Sequence, residues 1–376
     1  MTLKVLSVFG TRPEAIKMAP IIRQLNETTG IEARVCVTAQ HRQMLDQVLE
    51  LFQIKPDYDL DLMRDGQSLA QISASIFTDL DPVLADFQPD WVLVVGDTTT
   101  VVTTSLLTYF RRVKLGHVEA GLRTHNKWHP FPEEINRRIA TVIADLHFAP
   151  TEWSKGNLLR EGVAEKDILV TGNSVIDALN YVAGQPEPQE ITNLFQKTGV
   201  RGQESRPLIL VTAHRRENFG QPLENICHAI RELAARGDVE IVYPVHLNPN
   251  VQEPANRLLK GVPHITLLPP QDYLPMVHLM KNSRLILTDS GGLQEEAPSF
   301  GVPVLVMRET TERPEGVAAG TLKVVGMETN HIVQTASQLL DDPAAYAAMA
   351  KAANPYGDGQ TAGRIVEALL NATTRI

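Results

Sequence analysis

The sequence has little cysteine, no long apolar run and no excess of positive charge, and each absence excludes a class of protein. Only two cysteines, Cys36 and Cys227, occur in 376 residues, and neither belongs to a CxxC motif. Isolated cysteines indicate ordinary packing in a reducing compartment and not a disulfide framework. No apolar stretch approaches the length that crosses a membrane. We therefore expect a cytoplasmic protein with no membrane-spanning segment.

The charge balance argues against polyanionic partners. The chain has 35 Lys and Arg against 44 Asp and Glu, a formal net charge of −9, which gives no general attraction to nucleic acid or to an anionic membrane. Any anionic ligand must be held by a few placed cations and backbone N–H groups. The N-terminal run MTLKVLSVFG is short and GTRP follows it directly, which predicts a buried first strand and not a signal peptide.

The length predicts two domains, and 43% hydrophobic residues suffice for two cores. Short apolar runs alternate with amphipathic stretches that predict helices. Because the runs are continuous and rich in β-branched residues, they are typical of parallel strands buried on both faces. The predicted strands are LKVLSVF, ARVCVT, WVLVVG, VKLGHV, DLHFAP, LILVTAH, EIVYPVH, HITLLP, RLILTDS and VPVLVM. The prediction is an α/β protein with two Rossmann-like, doubly wound parallel-sheet lobes facing a cleft.

A polar, breaker-rich stretch from about 184 to 207 interrupts the two series of strands. We place the first lobe at residues 1–175 and the second at 176–357, with a C-terminal helix over 358–376 that joins the first lobe. Ligands of open α/β sheets bind outside the carboxyl ends of the strands. The polar residues directly after each predicted strand are therefore the candidate site.

In the first lobe, carboxylates follow two strands and a third begins a helix. Asp97 of GDTTT, Glu119 of GHVEAGLRT and Glu133 of FPEEINRR are each open to a structural interpretation, as a helix cap, an ion-pair partner or a helix-dipole partner. A reactive role with a perturbed pKa is the functional alternative. GTRPEAIK after the first strand places Arg12 and Lys17 near a helix start, where anions bind; two solvated cations on a plain turn are as plausible.

The histidines of this region, His117, His125 and His129, lack a recognised metal-ligand spacing. We therefore expect no metal and no other cofactor. In the second lobe, His214 of VTAHRREN ends a strand, where it is either a structural histidine or a functional one.

The most informative stretch is LTDSGGLQEEAPSFGVPVLVMRETTERPE. Ser290, Gly291 and Gly292 end a strand and open a helix, so the backbone can approach a diphosphate closely at a helix N-terminus. Glu296 lies one turn further on and can accept hydrogen bonds from a ribose diol. Arg313 adds a cation. The pattern predicts a nucleotide site more specifically than a lone glycine-rich turn does.

These motifs together resemble the non-hydrolysing UDP-N-acetylglucosamine 2-epimerases of bacteria. The resemblance spans nearly the whole chain in the family's order, through FGTRPEAIKMAP, TAQHRQMLDQV, GDTTT, GHVEAGLRT, FPEEINR, TGNSVIDAL, TAHRREN, YPVHLNPNV, TDSGGLQEEAPS, RETTERPEG and NPYGDG. It implies a GT-B-type fold, a homodimer, and reversible conversion of UDP-GlcNAc to UDP-ManNAc that supplies ManNAc-type sugars for surface polysaccharide. The implied route eliminates UDP to a bound 2-acetamidoglucal and adds it back.

The resemblance also implies roles for individual residues. The catalytic group is Asp97, Glu119, Glu133 and His214. The residues that contact the substrate or UDP are Arg12, Lys17, Gln271, Met276, Ser290, Gly291, Gly292, Glu296 and Arg313. Some relatives are activated by UDP-GlcNAc at a second site, whose pattern matches Gln40, Gln43, Gln67, Arg215 and His246. Gly66 stands where such relatives can carry Arg, a departure that bears on the strength of activation.

Three alternatives remain open at the level of sequence. A hydrolysing 2-epimerase would release ManNAc and UDP. A retaining glycosyltransferase on the same fold would need an acceptor site, which the carboxylates of the first lobe do not demand. A sugar-nucleotide sensor without turnover would need the glycine turn and Glu296 but no cluster of three carboxylates and a histidine.

Overall fold

The computed structural model describes residues 2–38, 42–62, 64, 66–201 and 205–373. The chain forms two compact units. Unit 1 comprises Met1–Asn180 and Tyr356–Ile376, and unit 2 comprises Tyr181–Pro355. The corresponding boundaries predicted from the sequence lie after residues 175 and 357. The middle of the chain thus forms one unit, and the two ends form the other.

Unit 1 is built on one parallel sheet of seven strands in the order β3-β2-β1-β4-β5-β6-β7. The strands are β1 (Leu3–Phe9), β2 (Ile31–Val37), β3 (Tyr58–Asp59), β4 (Trp91–Val95), β5 (Lys114–Val118), β6 (Leu146–Ala149) and β7 (Ile168–Val170). The helices are α1 (Arg12–Glu27), α2 (Arg42–Leu51), α3 (Leu69–Phe87), α4 (Thr99–Arg111), α5 (Glu133–Ile143), α6 (Glu152–Arg160), α7 (Ser174–Ala183, which contains the boundary) and α16 (Thr361–Thr373).

The continuous apolar runs of the sequence form the central strands, because helices cover both faces of a parallel sheet and every side chain of such a strand is buried. All five residues of β4 are buried, as expected for a parallel strand with helices on both faces. Polar caps then start the helices. The Thr11 side chain caps α1 in a reciprocal arrangement with Glu14, and the Thr98 side chain accepts a hydrogen bond from the backbone of Val101 in α4.

The C-terminal segment returns to unit 1 and packs against it. The Tyr356 carbonyl accepts a 2.7 Å hydrogen bond from the backbone N–H of Asn173, and the Asp177 carboxylate accepts one of 2.9 Å from Ala362 N–H. Helix α16 packs against α1 and buries Ile365 and Leu369 completely. Helix α16 is therefore part of the unit 1 core.

Unit 2 has a parallel sheet of six strands in the order β10-β9-β8-β11-β12-β13. The strands are β8 (Leu208–Thr212), β9 (Glu240–Pro244), β10 (Ile265–Leu268), β11 (Ser283–Thr288), β12 (Val304–Val306) and β13 (Leu322–Val324). The helices are α8 (Gln189–Thr198), α9 (Gln221–Ala235), α10 (Pro249–Leu259), α11 (Tyr273–Lys281), α12 (Gly291–Glu296), α13 (Pro314–Ala319), α14 (Thr329–Asp341) and α15 (Pro343–Ala350). Its core lies between the sheet and helices α9, α10 and α14.

The predicted α/β class with two doubly wound parallel sheets is confirmed, and all ten predicted strands are present. Strands β3, β7 and β13 were not predicted. Each has only two or three residues, too few to give a recognisable apolar run. Across the described residues, no helix combines the length and apolar character of a membrane span.

Candidate active site

The strand order of each sheet reverses once, and several candidate residues follow the strands at these two reversals, namely Arg12, Asp97, His214 and Ser290. In unit 1, β1 and β4 are neighbours although their crossover connections run in opposite directions across the sheet. In unit 2, β8 and β11 have the same relation. Loops diverge at such a point and leave a crevice at the carboxyl ends of the strands, where ligands of open α/β sheets bind.

Glu119 is the centre of a polar cluster in unit 1. Its Oε1 atom lies 2.5 Å from Lys17 Nζ and accepts a 3.1 Å hydrogen bond from Asn173 Nδ2. The residue is buried and its backbone has φ of 62°, in the left-handed region that is uncommon for a side chain other than glycine. Lys17 and Glu119, which the sequence predicts separately as site residues, are thus in direct contact.

Asp97 is the second candidate carboxylate of unit 1, and both its side chain and its backbone carbonyl have partners. Its side chain lies 2.5 Å from an Arg137 guanidinium nitrogen, and its backbone carbonyl accepts a 2.9 Å hydrogen bond from Asn136. The cap of α4 is Thr98 and not Asp97. The structural interpretation of Asp97 as a helix cap is therefore excluded, and its carboxylate is held by Arg137 of α5.

The third carboxylate, Glu133, is the first residue of α5. Its Oε2 atom is buried and accepts no hydrogen bond from any described residue. Its neighbour Glu134 does hold the preceding loop, through the backbone N–H groups of Thr124 and His125. A buried carboxylate oxygen with no donor among the described residues is costly unless another group satisfies it, so Glu133 stays a candidate for contact with the substrate.

Glu14 joins the two turns on either side of the reversal in unit 1. Its carboxylate accepts hydrogen bonds from Gly10 N at 3.0 Å, Thr11 N at 2.8 Å and Thr98 Oγ1 at 2.6 Å. Burial raises the pKa of this carboxyl group despite these bonds. The contacts fix the turn that leads to Arg12 and the turn that contains Asp97 relative to each other.

In unit 2, the glycine turn after β11 lies beside two cations. A side chain built at Gly291 would approach the guanidinium groups of Arg215 and Arg313 to 3.6 and 3.7 Å, so both groups lie next to the turn. The Arg313 guanidinium also pairs with the Glu295 carboxylate. Helix α12 starts at Gly291, with Ser290 as its N-cap residue. The predicted turn and the predicted cation are therefore neighbours.

The candidate ribose ligand Glu296 is the last residue of α12 and is buried. Its Oε1 atom accepts a 2.7 Å hydrogen bond from the Tyr273 hydroxyl. The contact fixes the carboxylate, and burial raises the pKa of Tyr273 well above its usual value. The Tyr273 hydroxyl thus remains a hydrogen-bond donor to Glu296 at any physiological pH.

His214 follows β8 at the reversal of the second sheet. Its backbone N–H donates to Asp289 Oδ2 at 2.8 Å, and its ring lies on that of His246, with the ring centres 5.6 Å apart. The side chain is 37% exposed. Burial lowers the pKa of the imidazole, while the Asp289 carboxylate opposes this effect.

The remaining predicted residues lie as follows. Gln271 Nε2 donates to the Pro269 carbonyl at 2.8 Å, and Met276 is half-buried in α11. Gln67 Oε1 accepts a 2.7 Å hydrogen bond from Arg64 N–H. Gln40 and the side chain of Gln43 lie outside the described residues. Among the residues described, no group of three or more His, Cys, Asp and Glu side chains is arranged to hold a metal ion.

The residues that hold the candidate side chains in place were not predicted from the sequence. These are Glu14, Asn136, Arg137, Asn173, Tyr273 and Asp289. Asn173 follows β7, a strand too short to be predicted, so its place at a strand end was not visible. Arg137 lies four residues after Glu133, one helical turn further along α5, and this spacing was the available signal that it faces the same site.

Comparison with known proteins identifies the family. Residues 23–370 match the model of the family described as UDP-N-acetylglucosamine 2-epimerase. The chain belongs to this family. It is 56% identical to the UDP-N-acetylglucosamine 2-epimerase of Yersinia pestis over 372 residues, which cover 98% of this chain and 99% of the relative.

Two solved structures of family members extend the similarity to the fold. The UDP-GlcNAc 2-epimerase of Neisseria meningitidis, bound to UDP-GlcNAc, is 52% identical, with a TM-score of 0.88 over 98% of this chain and 100% of that chain. A putative family member from Listeria monocytogenes is 48% identical, with a TM-score of 0.93 over 100% and 98%. The predicted family, the GT-B-type α/β fold and the assignment as an epimerase are therefore confirmed.

Proposed function

We propose that this epimerase interconverts UDP-GlcNAc and UDP-ManNAc without releasing free sugar, by elimination of UDP and its re-addition. The observation that carries the proposal is the buried Glu119 carboxylate, held by Lys17 and Asn173. Inversion at C2 needs acid and base groups on both faces of the sugar, and unit 1 offers Asp97 and Glu133 at the same edge of the sheet. The substrate bound by the Neisseria meningitidis relative supports the choice of sugar nucleotide.

The proposed chemistry begins at C1, because the C2 hydrogen has no adjacent carbonyl and is barely acidic. The C1–O bond to UDP breaks first, and its electron pair leaves with the diphosphate. A carboxylate then removes the C2 proton, and the C–H electron pair forms the C1–C2 double bond of 2-acetamidoglucal. In the return step a proton adds to the opposite face of C2, and a diphosphate oxygen of UDP adds to C1.

The departing diphosphate gains negative charge, which cations and backbone N–H groups stabilise. We assign this role to the turn at Ser290, Gly291 and Gly292 together with Arg313, and the ribose diol to Glu296. His214 is the proposed hydrogen-bond donor or acid for the leaving phosphate. Arg12 and Lys17 are proposed to contact the substrate.

The product distinguishes this proposal from its nearest alternative. UDP-GlcNAc incubated with the protein in deuterated water should give UDP-ManNAc at equilibrium, with solvent deuterium at C2 in both sugar nucleotides, as followed by NMR. Free ManNAc as the main product would assign the chain to hydrolysing epimerases. Absence of both new sugar and deuterium would indicate a binding protein.

We further propose that two copies of the chain associate through helices α4 and α5. Tyr109, Phe110 and Val142 are exposed by 67, 65 and 86% and border a groove of about 840 Å³. An apolar patch of this kind is typical of an interface, and the family resemblance favours a homodimer.

Val142→Asp should convert a dimer to a monomer, because a charge would be buried in the apolar contact. Light scattering after size exclusion measures the mass. Leu159→Asp is the matched control, since Leu159 is an exposed apolar residue, 41% exposed, on α6 of the same unit. A wild-type chain that is monomeric at micromolar concentration would refute the interface.

A further inference from the structure

Asp289 is a buried carboxylate whose two oxygens have different surroundings. Its Oδ2 atom accepts three hydrogen bonds, from the backbone N–H groups of His214 and Arg215 at 2.8 Å each and from Asn218 Nδ2 at 3.0 Å. The residue has no exposed surface. These contacts hold the carboxylate against the segment that follows β8, so the direction of its second oxygen is also fixed.

The second oxygen, Oδ1, is buried and accepts no hydrogen bond from the described residues. It lies 3.4 Å from Nδ1 of the His214 ring. A buried carboxylate oxygen without a donor is costly, and a small rotation of the ring would bring Nδ1–H within hydrogen-bond distance. Hydrogen bonds of active sites are often longer before the substrate binds.

We propose that Asp289 is the positioning residue for His214, holding the neutral ring in the tautomer with hydrogen on Nδ1 and leaving Nε2 for the leaving phosphate. The inference rests on the role of His214 in the proposed function. In the elimination step, Nε2–H of the imidazolium donates its proton to the leaving phosphate, which leaves the neutral ring with hydrogen on Nδ1. In the return step, Nε2 of the neutral ring takes the proton back from UDP. With the hydrogen on Nε2 instead, the neutral ring cannot accept a proton there.

The charges around His214 make Asp289 the group that favours protonation. Arg215 and His246 face the same ring and disfavour its charged form, as does burial, and Asp289 alone among these groups favours it. A fixed carboxylate behind the histidine thus sets the tautomer and also stabilises the imidazolium, as in other His–Asp pairs.

Asp289→Asn tests the inference with little change in shape. The amide oxygen can replace Oδ2 and keep the three N–H contacts, which directs the amide NH2 toward His214 Nδ1 and forces the hydrogen onto Nε2. We expect kcat to fall at least about 100-fold, since the same replacement in a serine protease costs about 10⁴-fold through the wrong tautomer. KM should change less than threefold, because Asp289 does not contact the substrate.

The tautomer itself is read by ¹⁵N NMR of labelled histidine, assigned by the signals that His214→Asn removes. The wild-type ring should have a protonated Nδ1 and a bare Nε2 at a pH where it is neutral, and Asp289→Asn should reverse this. Asn218→Ala is the matched control, because it removes a contact to Oδ2 and should leave the tautomer unchanged even if stability falls.

A wild-type ring with its hydrogen on Nε2 would overturn the inference, and so would an unchanged tautomer in Asp289→Asn. The wild-type measurement needs no variant, so a variant that fails to fold does not leave the question open. Failure of the proposed function has a separate signature, namely near-normal turnover of His214→Asn. This is measured by product formation, whereas the tautomer is measured without substrate.

Discussion

At the scale of single residues, the candidate site depends on side chains held by partners that do no chemistry themselves. Glu119 keeps an unfavourable backbone conformation, which costs of the order of 1–3 kcal/mol and persists only where surrounding contacts enforce it. Lys17 and Asn173 supply those contacts. The strain and the ion pair together make Glu119 the residue whose replacement is most informative.

Glu119→Gln should lower kcat by roughly 10²–10⁴-fold, the usual effect of losing an acid or base, with KM changed only slightly. Gln retains the size and can still accept from Asn173, so the fold should survive. Initial rates with UDP-GlcNAc measure both constants. The control is Glu165→Gln, which changes an exposed carboxylate of the same unit that pairs with Lys155 and should be fully active. Near-normal turnover of Glu119→Gln would exclude Glu119 from the mechanism.

Glu296→Ala should weaken UDP binding, because the proposed ribose diol loses an acceptor that Tyr273 holds in place. Loss of hydrogen bonds to a charged group corresponds to about 1.5–3 kcal/mol, or roughly 10- to 150-fold in Kd. Calorimetry with UDP measures it. Glu224→Ala, at a partly exposed carboxylate of unit 2, is the control. An unchanged Kd in Glu296→Ala would refute the ribose assignment.

At the scale of elements, neighbouring strands β5 and β6 place two buried histidines side by side. His117 pairs in register with His147, and burial lowers the pKa of each to about 4 from 6.5. His117 Nε2 lies 2.7 Å from the Gly96 carbonyl, next to Asp97. Both rings are therefore neutral at pH 7, and the strands that carry the site are sensitive to acid.

The stability of unit 1 should fall as pH decreases from about 6.5 to about 4. Between these pH values the histidines of the unfolded chain bind protons that the folded histidines do not. The stability that the two neutral histidines contribute is therefore fully present above pH 6.5 and is lost as the pH falls toward 4. Each histidine contributes up to about 1.4 kcal/mol per pH unit. The pH dependence of the unfolding free energy, measured by urea unfolding at a series of pH values, gives the number of protons taken up on unfolding. His147→Gln should lower this number by about one. His228→Gln, at an exposed position, should leave it unchanged.

At the scale of the whole molecule, the two ends of the chain complete one unit while the middle folds as the other. The three tryptophans, Trp91, Trp128 and Trp153, all lie in unit 1. Their fluorescence therefore reports on unit 1 alone, and far-ultraviolet circular dichroism reports on both units. This difference allows a test of the C-terminal helix.

Leu369→Ala should destabilise unit 1 by roughly 2–5 kcal/mol, the usual cost of a cavity at a buried leucine, because Leu369 of α16 has no exposed surface. Leu370→Ala is the matched control, since the adjacent side chain is 36% exposed. Tryptophan fluorescence during urea unfolding should shift to lower urea for Leu369→Ala only. Equal shifts for the two variants would mean that α16 does not share the unit 1 core.

The strand ends were predictable because a parallel strand buried on both faces leaves a continuous apolar run, and the run stops where the polar residue begins. Asp97, Glu119, His214 and the turn at Ser290 were found in this way. Asp289 also lies at a strand end, but its contact with His214 could not be predicted, because it joins the end of β11 to the loop after β8, 75 residues away.

The sequence by itself determined the parallel α/β class, the positions of the long strands and the residue types at their carboxyl ends, since these depend on local pattern and on burial of both sheet faces. Only the tertiary structure decided which partner each carboxylate has. The Lys17 side chain contacts Glu119, 102 positions further along the chain. The Asp97 carboxylate pairs with Arg137 and does not cap a helix. Such pairings follow from strand order, which brings distant loops together and which local sequence does not specify.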